Sequence, residues 1–323
     1  MAQHAGVDVS VVSRLLSGDP RLSISQATRE RVLAAVKTLD YRPNLAARAL
    51  RTSRGGMAAF VVPEFTNAVY ARVIAGAHRR AKEEGYSIVV GESTDDIGKL
   101  AREYRARGVE GILLAGATLS DEAIRALGDA AVPIVVVNRL VAGTRRTAVV
   151  DYTGASELAA DHLTGLGHRD IAVIAGPKHL DTTRERIQAF ARRAKASGAR
   201  IRQVTAKDFS GDAGLVAGRR MLARGREATA VFAPTLMLAV GMLAAAHEAG
   251  VAVPEDLSLI ALHDAELAKF TWPPLTTVAM PMTELGGAAL DHLLKVLAGQ
   301  DPEPSMVVTP PELIMRGSTA RPA

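Results

Sequence analysis

The chain has 323 residues, 48 % hydrophobic and 23 % charged, which excludes a disordered or fibrous protein and indicates two or three globular domains. It contains no cysteine, so disulfide bonds, thiolate metal sites and cysteine nucleophiles are excluded. Residues 1–56 carry nine basic and four acidic side chains whereas residues 57–323 sum to zero, which favours a polyanion partner for a basic head over the alternative of a solvated basic surface.

The first 42 residues show no strand pattern and predict short helices at about 1–5, 9–16 and 26–38. Gly6 permits the tight turn of a helix-turn-helix, and Asp8 can cap the second helix. Val12, Leu15 and Leu16 share a face that can pack on the third helix. The predicted DNA contacts are the short or basic side chains of the second helix, which suit the major groove: Val9, Ser10, Val11, Ser13 and Arg14. An ordinary helical hairpin is the alternative.

The stretch RPNLAARALRT can be a linker or a short helix. Pro43 stops the third helix, and Asn44 can cap a new helix from Leu45 to about Arg51. So short a helix is marginal alone in water and should form only when it packs on something. The residues by themselves favour a linker.

From Met57 onward, short β-branched runs alternate with helical stretches, in two successive cycles. The first cycle contains MAAFVVP, YSIVVGES, VEGILLAG and VPIVVVNR; after the connection TAVVDYTG, the second contains RDIAVIAGP, RIRQVTA, TAVFAP and LSLIALHD. Strands of this kind predict an α/β protein with parallel sheets covered on both faces, here in two lobes. A ligand is expected in the cleft beyond the carboxyl ends of the strands. The segment DPEPSMVVTPPE is expected to be a connection back into the body.

Ordered motifs along nearly the whole chain resemble the lactose-repressor (LacI/GalR) family of bacterial transcription regulators. They include AGVDVSVVSRLLSG, YRPNLAARAL, HLTGLGHRDIAVIAGP, VPEDLSLIALHD, PPLTTV and PPELIMRGST. The resemblance implies an N-terminal all-α helix-turn-helix head and a two-lobed periplasmic-binding-protein-like body. The expected domains are 1–42 (DNA-binding), 43–56 (hinge helix and linker) and 57–323 (effector-binding and dimerisation). The two lobes are expected at about 57–150 with 278–303, and 151–277 with 304–323.

The resemblance also reverses the interpretation of residues 43–56. In the family this segment is a hinge helix that folds on DNA and pairs with its dimer mate in the minor groove. A leucine matching Leu50 wedges into the central base step there, with Ala47 and Arg48 beside it and Asn44 at the helix start.

The cleft is where this chain departs from the family. Thr235-Leu236 replace an Asn-Asp pair, His263-Asp264 an Asp-Asp pair, and Asp151-Tyr152 part of a V-D-N motif. These losses argue against a simple sugar effector. Arg186 matches a ligand-facing arginine of the family, and His263 should favour an anionic or acceptor-rich ligand. The full set of expected effector contacts is Phe65, Asn67, Tyr70, Asn138, Tyr152, Arg186, Phe232, Thr235, His263 and Trp272. Packing or loop structure is at least as good an interpretation for six of them: Phe65, Asn67, Tyr70, Asn138, Phe232 and Trp272.

The expected function is a sequence-specific DNA-binding repressor, a homodimer or tetramer on a pseudo-palindromic operator. A sugar derivative or an anionic metabolite in the cleft would control it, with no cofactor or metal. The alternative is a solute-binding protein of the same body, disfavoured by the basic helical head. An enzyme is disfavoured because no nucleophile motif, metal cluster or phosphate loop is visible. With no charged-then-apolar leader and no apolar run of 18 residues, the chain is expected in the cytoplasm, away from membranes. The family has about half a dozen residues before the segment MAQHAG, so the first helix is expected to be truncated and the true start to lie upstream.

Overall fold

The chain divides into two compact units, residues 1–55 and 56–323, which are described separately below. The computed structural model describes residues 1–16, 22–39, 56–65, 67–94, 96–115, 119–141, 143–177, 181–225 and 227–322. Within these ranges, no helix combines the length and the apolar character needed to cross a bilayer.

The described part of the head contains three helices: α1 (Ala2–Ala5), α2 (Val9–Leu16) and α3 (Gln26–Thr38). These helices confirm the bounds predicted from the sequence. Gly6 ends α1 in the left-handed region, at φ 63°, and Asp8 caps α2 by accepting the N–H of Ser10 at 2.8 Å. Ser25 caps α3 by accepting the N–H of Thr28.

A small apolar core holds the three helices of the head together. Ala5, Val12, Val32 and Ala35 are buried in it, and Leu15 packs against them half-buried. The expected contact of α2 with the third helix is therefore confirmed for Val12 and Leu15, whereas the Leu16 side chain lies outside the described residues. Each buried valine contributes about 1.5–3 kcal/mol of hydrophobic stabilisation, which is a large share for so small a core.

The described part of the body contains two six-stranded sheets. The first sheet has the strand order β11-β5-β4-β3-β1-β2, all parallel. Its strands are β1 (Met57–Val62), β2 (Ser87–Glu92), β3 (Gly111–Ala115), β4 (Ile134–Val137), β5 (Thr147–Val149) and β11 (Ser305–Met306). The second sheet has the order β12-β10-β9-β8-β6-β7 and is parallel except for β12. Its strands are β6 (Asp170–Ala175), β7 (Arg200–Thr205), β8 (Ala230–Ala233), β9 (Ser258–Leu262), β10 (Thr276–Ala279) and β12 (Glu312–Ile314).

Helices alternate with these strands, as the two cycles of the sequence predict. In the first lobe they are α4 (Ala68–Glu83), α5 (Ile97–Ala106), α6 (Asp121–Arg125), followed by a 3-10 turn, and α12 (Met282–Leu297). In the second lobe they are α7 (Tyr152–Gly165), α8 (Asp181–Ala196), α9 (Gly211–Leu222), α10 (Leu236–Glu248) and α11 (Leu267–Phe270). The central strands are buried on both faces, which explains their continuous apolar runs.

Helices α4 and α12 approach each other closely in the first lobe because glycines lie at their contact. A Cβ atom at Gly76 would clash with the backbone of Thr283, and one at Gly286 would clash with the backbone of Val73. Close packing of this pair fixes α12 on the first lobe although it follows β10 of the second lobe in the chain.

Within the described residues of the body, the chain passes between the lobes three times, at residues 150–151, 280–281 and 307–311. The second and third crossings lie a few residues beyond the boundaries predicted at 278 and 304. The segment DPEPSMVVTPPE, predicted as a plain connection, contains the two-residue strand β11. Strands of two or three residues are too short to show a hydrophobic period, so the sequence alone does not reveal them.

Candidate functional site

A pocket lies between the two lobes at the carboxyl ends of their strands. The first lobe contributes residues that follow β1 and β4, and the second lobe contributes residues that follow β6, β7, β8 and β9. This is the crevice where open α/β sheets bind ligands. Six of the predicted effector contacts line it: Asn67, Tyr70, Asn138, Arg186, Thr235 and His263. The remaining lining residues are Val69, Val137, Phe209, Leu236 and Met237.

Two helices begin at the pocket, and their capping residues line it. Asn67 caps α4 by accepting the N–H of Val69 at 3.1 Å, and Thr235 caps α10 by accepting the N–H of Leu238 at 3.4 Å. Both side-chain oxygens therefore already hold a backbone hydrogen bond. The first turns of α4 and α10 carry the positive ends of the helix dipoles towards the pocket.

Asn138 and His263 directly follow β4 and β9 and share an unusual backbone conformation. Their φ angles are 67° and 69°, in the left-handed region that residues other than glycine rarely adopt. Such positions cost about 1–3 kcal/mol and are concentrated at functional sites. Here they turn one side chain from each lobe towards the same pocket.

Tyr152, the first residue of α7, connects these two side chains. Its hydroxyl donates to Asn138 Oδ1 at 2.6 Å and lies 3.4 Å from His263 Nε2. Burial raises the pKa of Tyr152, so the phenol is neutral and keeps its proton for this bond. A hydrogen-bonded chain thus runs from the first lobe to the second behind the pocket.

Arg186 on α8 lies against the same tyrosine. Its guanidinium carbon is 3.6 Å from the centroid of the Tyr152 ring, a cation–π contact, and Nη1 donates to the carbonyl oxygen of Pro234 at 3.0 Å. The residue is only 5 % exposed, and its buried Nε has no hydrogen-bond partner among the described residues. A donor on a buried cation is therefore available to a ligand.

His263 packs edge-on against Tyr152 and is fully enclosed. Burial, together with the nearby charge of Arg186, holds the pKa of His263 well below its usual value, so the imidazole is neutral at pH 7. Because Tyr152 gives its proton to Asn138, we assign the His263 proton to Nε2, which leaves the buried Nδ1 as an acceptor without a partner among the described residues. The expectation that His263 favours an anion therefore loses its basis, and Arg186 supplies the positive charge.

Four predicted contacts do not line this pocket. Tyr152 lies behind it, as described, and Phe232 belongs to the core, where its ring stacks on Phe190 with the centroids 4.1 Å apart. Phe65 and Trp272 are 58 % and 93 % exposed and are not among the lining residues. Conversely, the pocket residues Phe209, Leu236 and Met237 are not among the contacts predicted from the sequence, although their positions after β7 and β8 were an available signal.

Asp264, the residue that keeps the family's second carboxylate, is held by the second lobe. It accepts from Arg316 Nη1 and from the Thr277 hydroxyl, both at 2.7 Å, and these bonds outweigh burial and lower the pKa of Asp264. Similarly, His168 is hydrogen-bonded through both ring nitrogens, to the Thr229 hydroxyl and to the carbonyl of Ala320, and therefore has a structural role. Among the described residues no group of three His, Asp or Glu side chains could hold a metal ion.

In the head, the predicted DNA contacts on α2 differ in how far their side chains are exposed. Val9 is 71 % exposed, Ser10 and Arg14 are exposed, and Val11 and Ser13 are half-buried. The Ser10 hydroxyl and backbone N–H hold the pKa of Asp8 below its usual value, so the cap stays ionised at neutral pH. The predicted hinge contacts Asn44, Ala47, Arg48 and Leu50 lie outside the described residues.

Comparisons with known proteins agree with this combination of a helix-turn-helix head and a two-lobed body. A family model for bacterial regulatory proteins of the lacI family matches residues 1–44, and one for a periplasmic binding protein-like domain matches residues 160–319. The chain is 34 % identical to the HTH-type transcriptional regulator reg1 of Streptomyces lividans, over 99 % of this chain and 95 % of that protein.

Two solved structures cover nearly the whole chain. The lac repressor dimer bound to operator and the anti-inducer ONPF is 26 % identical with a TM-score of 0.84, over 99 % of this chain and 97 % of that one. The transcriptional regulator CelR in complex with cellobiose is 29 % identical with a TM-score of 0.73, over 98 % of both chains.

A helix-turn-helix head, together with two α/β lobes that have a pocket between the lobes, defines a ligand-binding regulator of transcription. The chain belongs to the LacI family of bacterial transcriptional regulators. It is a DNA-binding regulator of transcription, and its family consists of regulators rather than enzymes.

Proposed function

We propose that this chain represses transcription as a homodimer on a pseudo-palindromic operator, and that a small molecule between the lobes controls its affinity for DNA. The observation that carries the proposal is the pocket to which both lobes contribute, with the Asn138–Tyr152–His263 chain passing from one lobe to the other. A ligand that binds one arrangement of the lobes better than another shifts the population between them by its difference in affinity.

The domain roles follow the boundaries predicted from the sequence. Residues 1–42 read the major groove, residues 43–56 form the hinge, and residues 57–323 bind the effector and form the dimer. Val9, Ser10 and Arg14 are the proposed contacts of α2 with DNA, and their exposure supports this role. In the pocket, Arg186 is the proposed anchor of the effector.

The test begins with the DNA, because no operator sequence is needed in advance. The full chain selects binding sites from a random double-stranded library, and its affinity is compared between the selected site and a scrambled one. A two-fold symmetric selected site with at least about a thousandfold preference is the expected result. A chain that binds both DNA molecules equally would contradict the proposal.

The second step tests control by a ligand. Sugars, sugar acids, organic acids and nucleosides are screened by thermal shift, since a ligand at 100 times its Kd stabilises the protein by about 2.7 kcal/mol. Each stabilising compound is then added to the complex with the selected DNA. We expect at least one to change the operator Kd; if every compound that binds the body leaves that Kd unchanged, the pocket does not regulate DNA binding.

A further inference from the structure

The pocket contains a buried positive charge without a buried negative one. Among the described residues, Arg186 forms no ion pair, and none of the eleven residues lining the pocket is acidic. The neighbouring acid Glu185 is exposed, accepts from the Thr153 hydroxyl at 3.3 Å and lines a second pocket with Asp151. Its charge therefore acts on Arg186 without forming an ion pair with it. Buried charges in proteins are normally paired, so an anionic partner in this pocket would stabilise the Arg186 guanidinium.

Two further features favour an anion at this place. The first turns of α4 and α10 face the pocket, and positive helix ends stabilise negative charge. The imidazole of His263 is neutral, and no lysine or second arginine lines the pocket among the described residues. The site thus offers one full positive charge, which one carboxylate neutralises; a phosphate dianion would keep an excess of negative charge in a buried place.

The rest of the lining is poorly suited to a neutral sugar. Five of the eleven lining residues are apolar: Val69, Val137, Phe209, Leu236 and Met237. The oxygens of Asn67 and Thr235 are engaged in helix caps, and that of Asn138 accepts from Tyr152. Few acceptors therefore remain for the hydroxyl groups of a sugar. A ligand with an apolar body, by contrast, would bury that body against the five apolar side chains.

We propose that the effector of this pocket is a small organic monocarboxylate, whose carboxylate binds the Arg186 guanidinium and whose apolar body packs against Phe209, Leu236 and Met237. The inference rests on the proposed function, because it names the ligand class of the same pocket. The buried Nδ1 of His263 adds one acceptor, which suits a hydroxyl or amine on that body.

The test uses pairs of probes that differ only in charge. Benzoate is compared with benzamide, and propanoate with propanamide, at matched ionic strength, by calorimetry and thermal shift on the full chain. At least one acid should bind at least about tenfold more tightly than its amide, because only the acid forms charge-assisted hydrogen bonds with a guanidinium. If each amide binds as tightly as its acid, or neither acid binds at millimolar concentration, the inference is wrong.

Variants of Arg186 test whether the preference for the acid over its amide depends on this residue. Arg186→Met removes the charge at similar volume and should abolish the preference for the acid, while Arg186→Lys keeps the charge, loses the planar fork and should retain a weakened preference. The matched control is Arg192→Met on the same helix, where the arginine is exposed and paired with Glu157; it should bind the acid like the natural chain. Equal acid binding by Arg186→Met and Arg192→Met would overturn the assignment of the anchor.

The two proposals fail in distinguishable ways. If an acid binds through Arg186 but leaves the affinity for the selected operator unchanged, the ligand class stands and the proposed control of DNA binding does not. If a neutral sugar binds through Arg186 and shifts operator affinity while the acids do not bind, the control stands and the carboxylate inference does not.

Discussion

Replacing Tyr152 by phenylalanine isolates the hydrogen bonds that connect the lobes. The ring, and with it the cation–π contact of Arg186, is retained, but the hydroxyl that donates to Asn138 at 2.6 Å and lies 3.4 Å from His263 is lost. The change leaves a half-buried amide oxygen and a buried ring nitrogen without their partner.

The expected cost follows from these two contacts. A buried hydrogen bond contributes about 0.5–1.5 kcal/mol, and leaving a buried acceptor unsatisfied costs about 1–3 kcal/mol. Since the 3.4 Å contact is long and adds little, we expect Tyr152→Phe to lower the free energy of unfolding of the body by about 2 kcal/mol. For a unit of this size that corresponds to a fall of roughly 4–8 °C in Tm.

Thermal and denaturant unfolding of the full chain measure this loss, with Tyr86→Phe as the control. Tyr86 also donates from its hydroxyl to a partly buried acceptor, Glu110 Oε2 at 2.8 Å, but away from the pocket. Both variants should unfold earlier, and only Tyr152→Phe should change the fold-shift in operator Kd caused by a bound ligand. If Tyr152→Phe unfolds at the same temperature and denaturant midpoints as the natural chain, the reasoning is refuted.

Four further outcomes are expected. Because the pKa of His263 is lowered in the folded state, its contribution to stability is complete above about pH 6.5 and is lost as the pH falls below that value. Denaturant titrations at pH 5–7 should show that His263→Asn loses stability less steeply than the natural chain, by up to about 1.4 kcal/mol per pH unit, and equal slopes would contradict this reasoning. Asn138→Gly should have a free energy of unfolding about 1 kcal/mol higher than that of Asn138→Ala in denaturant titrations, because alanine is disfavoured at φ 67°. Equal stabilities of the two variants would contradict the backbone argument. Val32→Ala should destabilise the head by about 2 kcal/mol, seen as faster amide exchange in α3, and unchanged exchange would mean that this core contributes little. Leu50→Ala should weaken binding to the selected operator far more than binding to scrambled DNA, and equal losses on both would argue against a minor-groove wedge.

Much of this protein follows from local sequence. The caps at Asp8 and Ser25 join residues two and three positions apart, so the chain next to each cap is enough to predict where α2 and α3 begin. The buried strands are recognisable in the sequence as continuous apolar runs between segments of helical periodicity. This alternation predicts two parallel sheets in two lobes. A strand such as β11 cannot be predicted in this way, because two residues are too few to show a hydrophobic period.

The composition of the pocket depends on contacts that no local pattern encodes. Tyr152 and His263 are 111 positions apart and meet because α7 packs against β9 in the second lobe, and Asn138 joins them from the end of β4 in the first lobe. Position at a strand end predicted that Asn138 reaches the cleft, and the resemblance to the family predicted the same of Arg186. The strand-end rule also selected Phe65 and Trp272, which are exposed to solvent, and Phe232, which packs in the core. Sequence therefore identified the arginine through its resemblance to the family. The burial of Arg186 without a carboxylate partner among the described residues, on which the proposed ligand class rests, is a property of the tertiary structure. The physical reason is that charge pairing depends on distance in space rather than on separation along the chain.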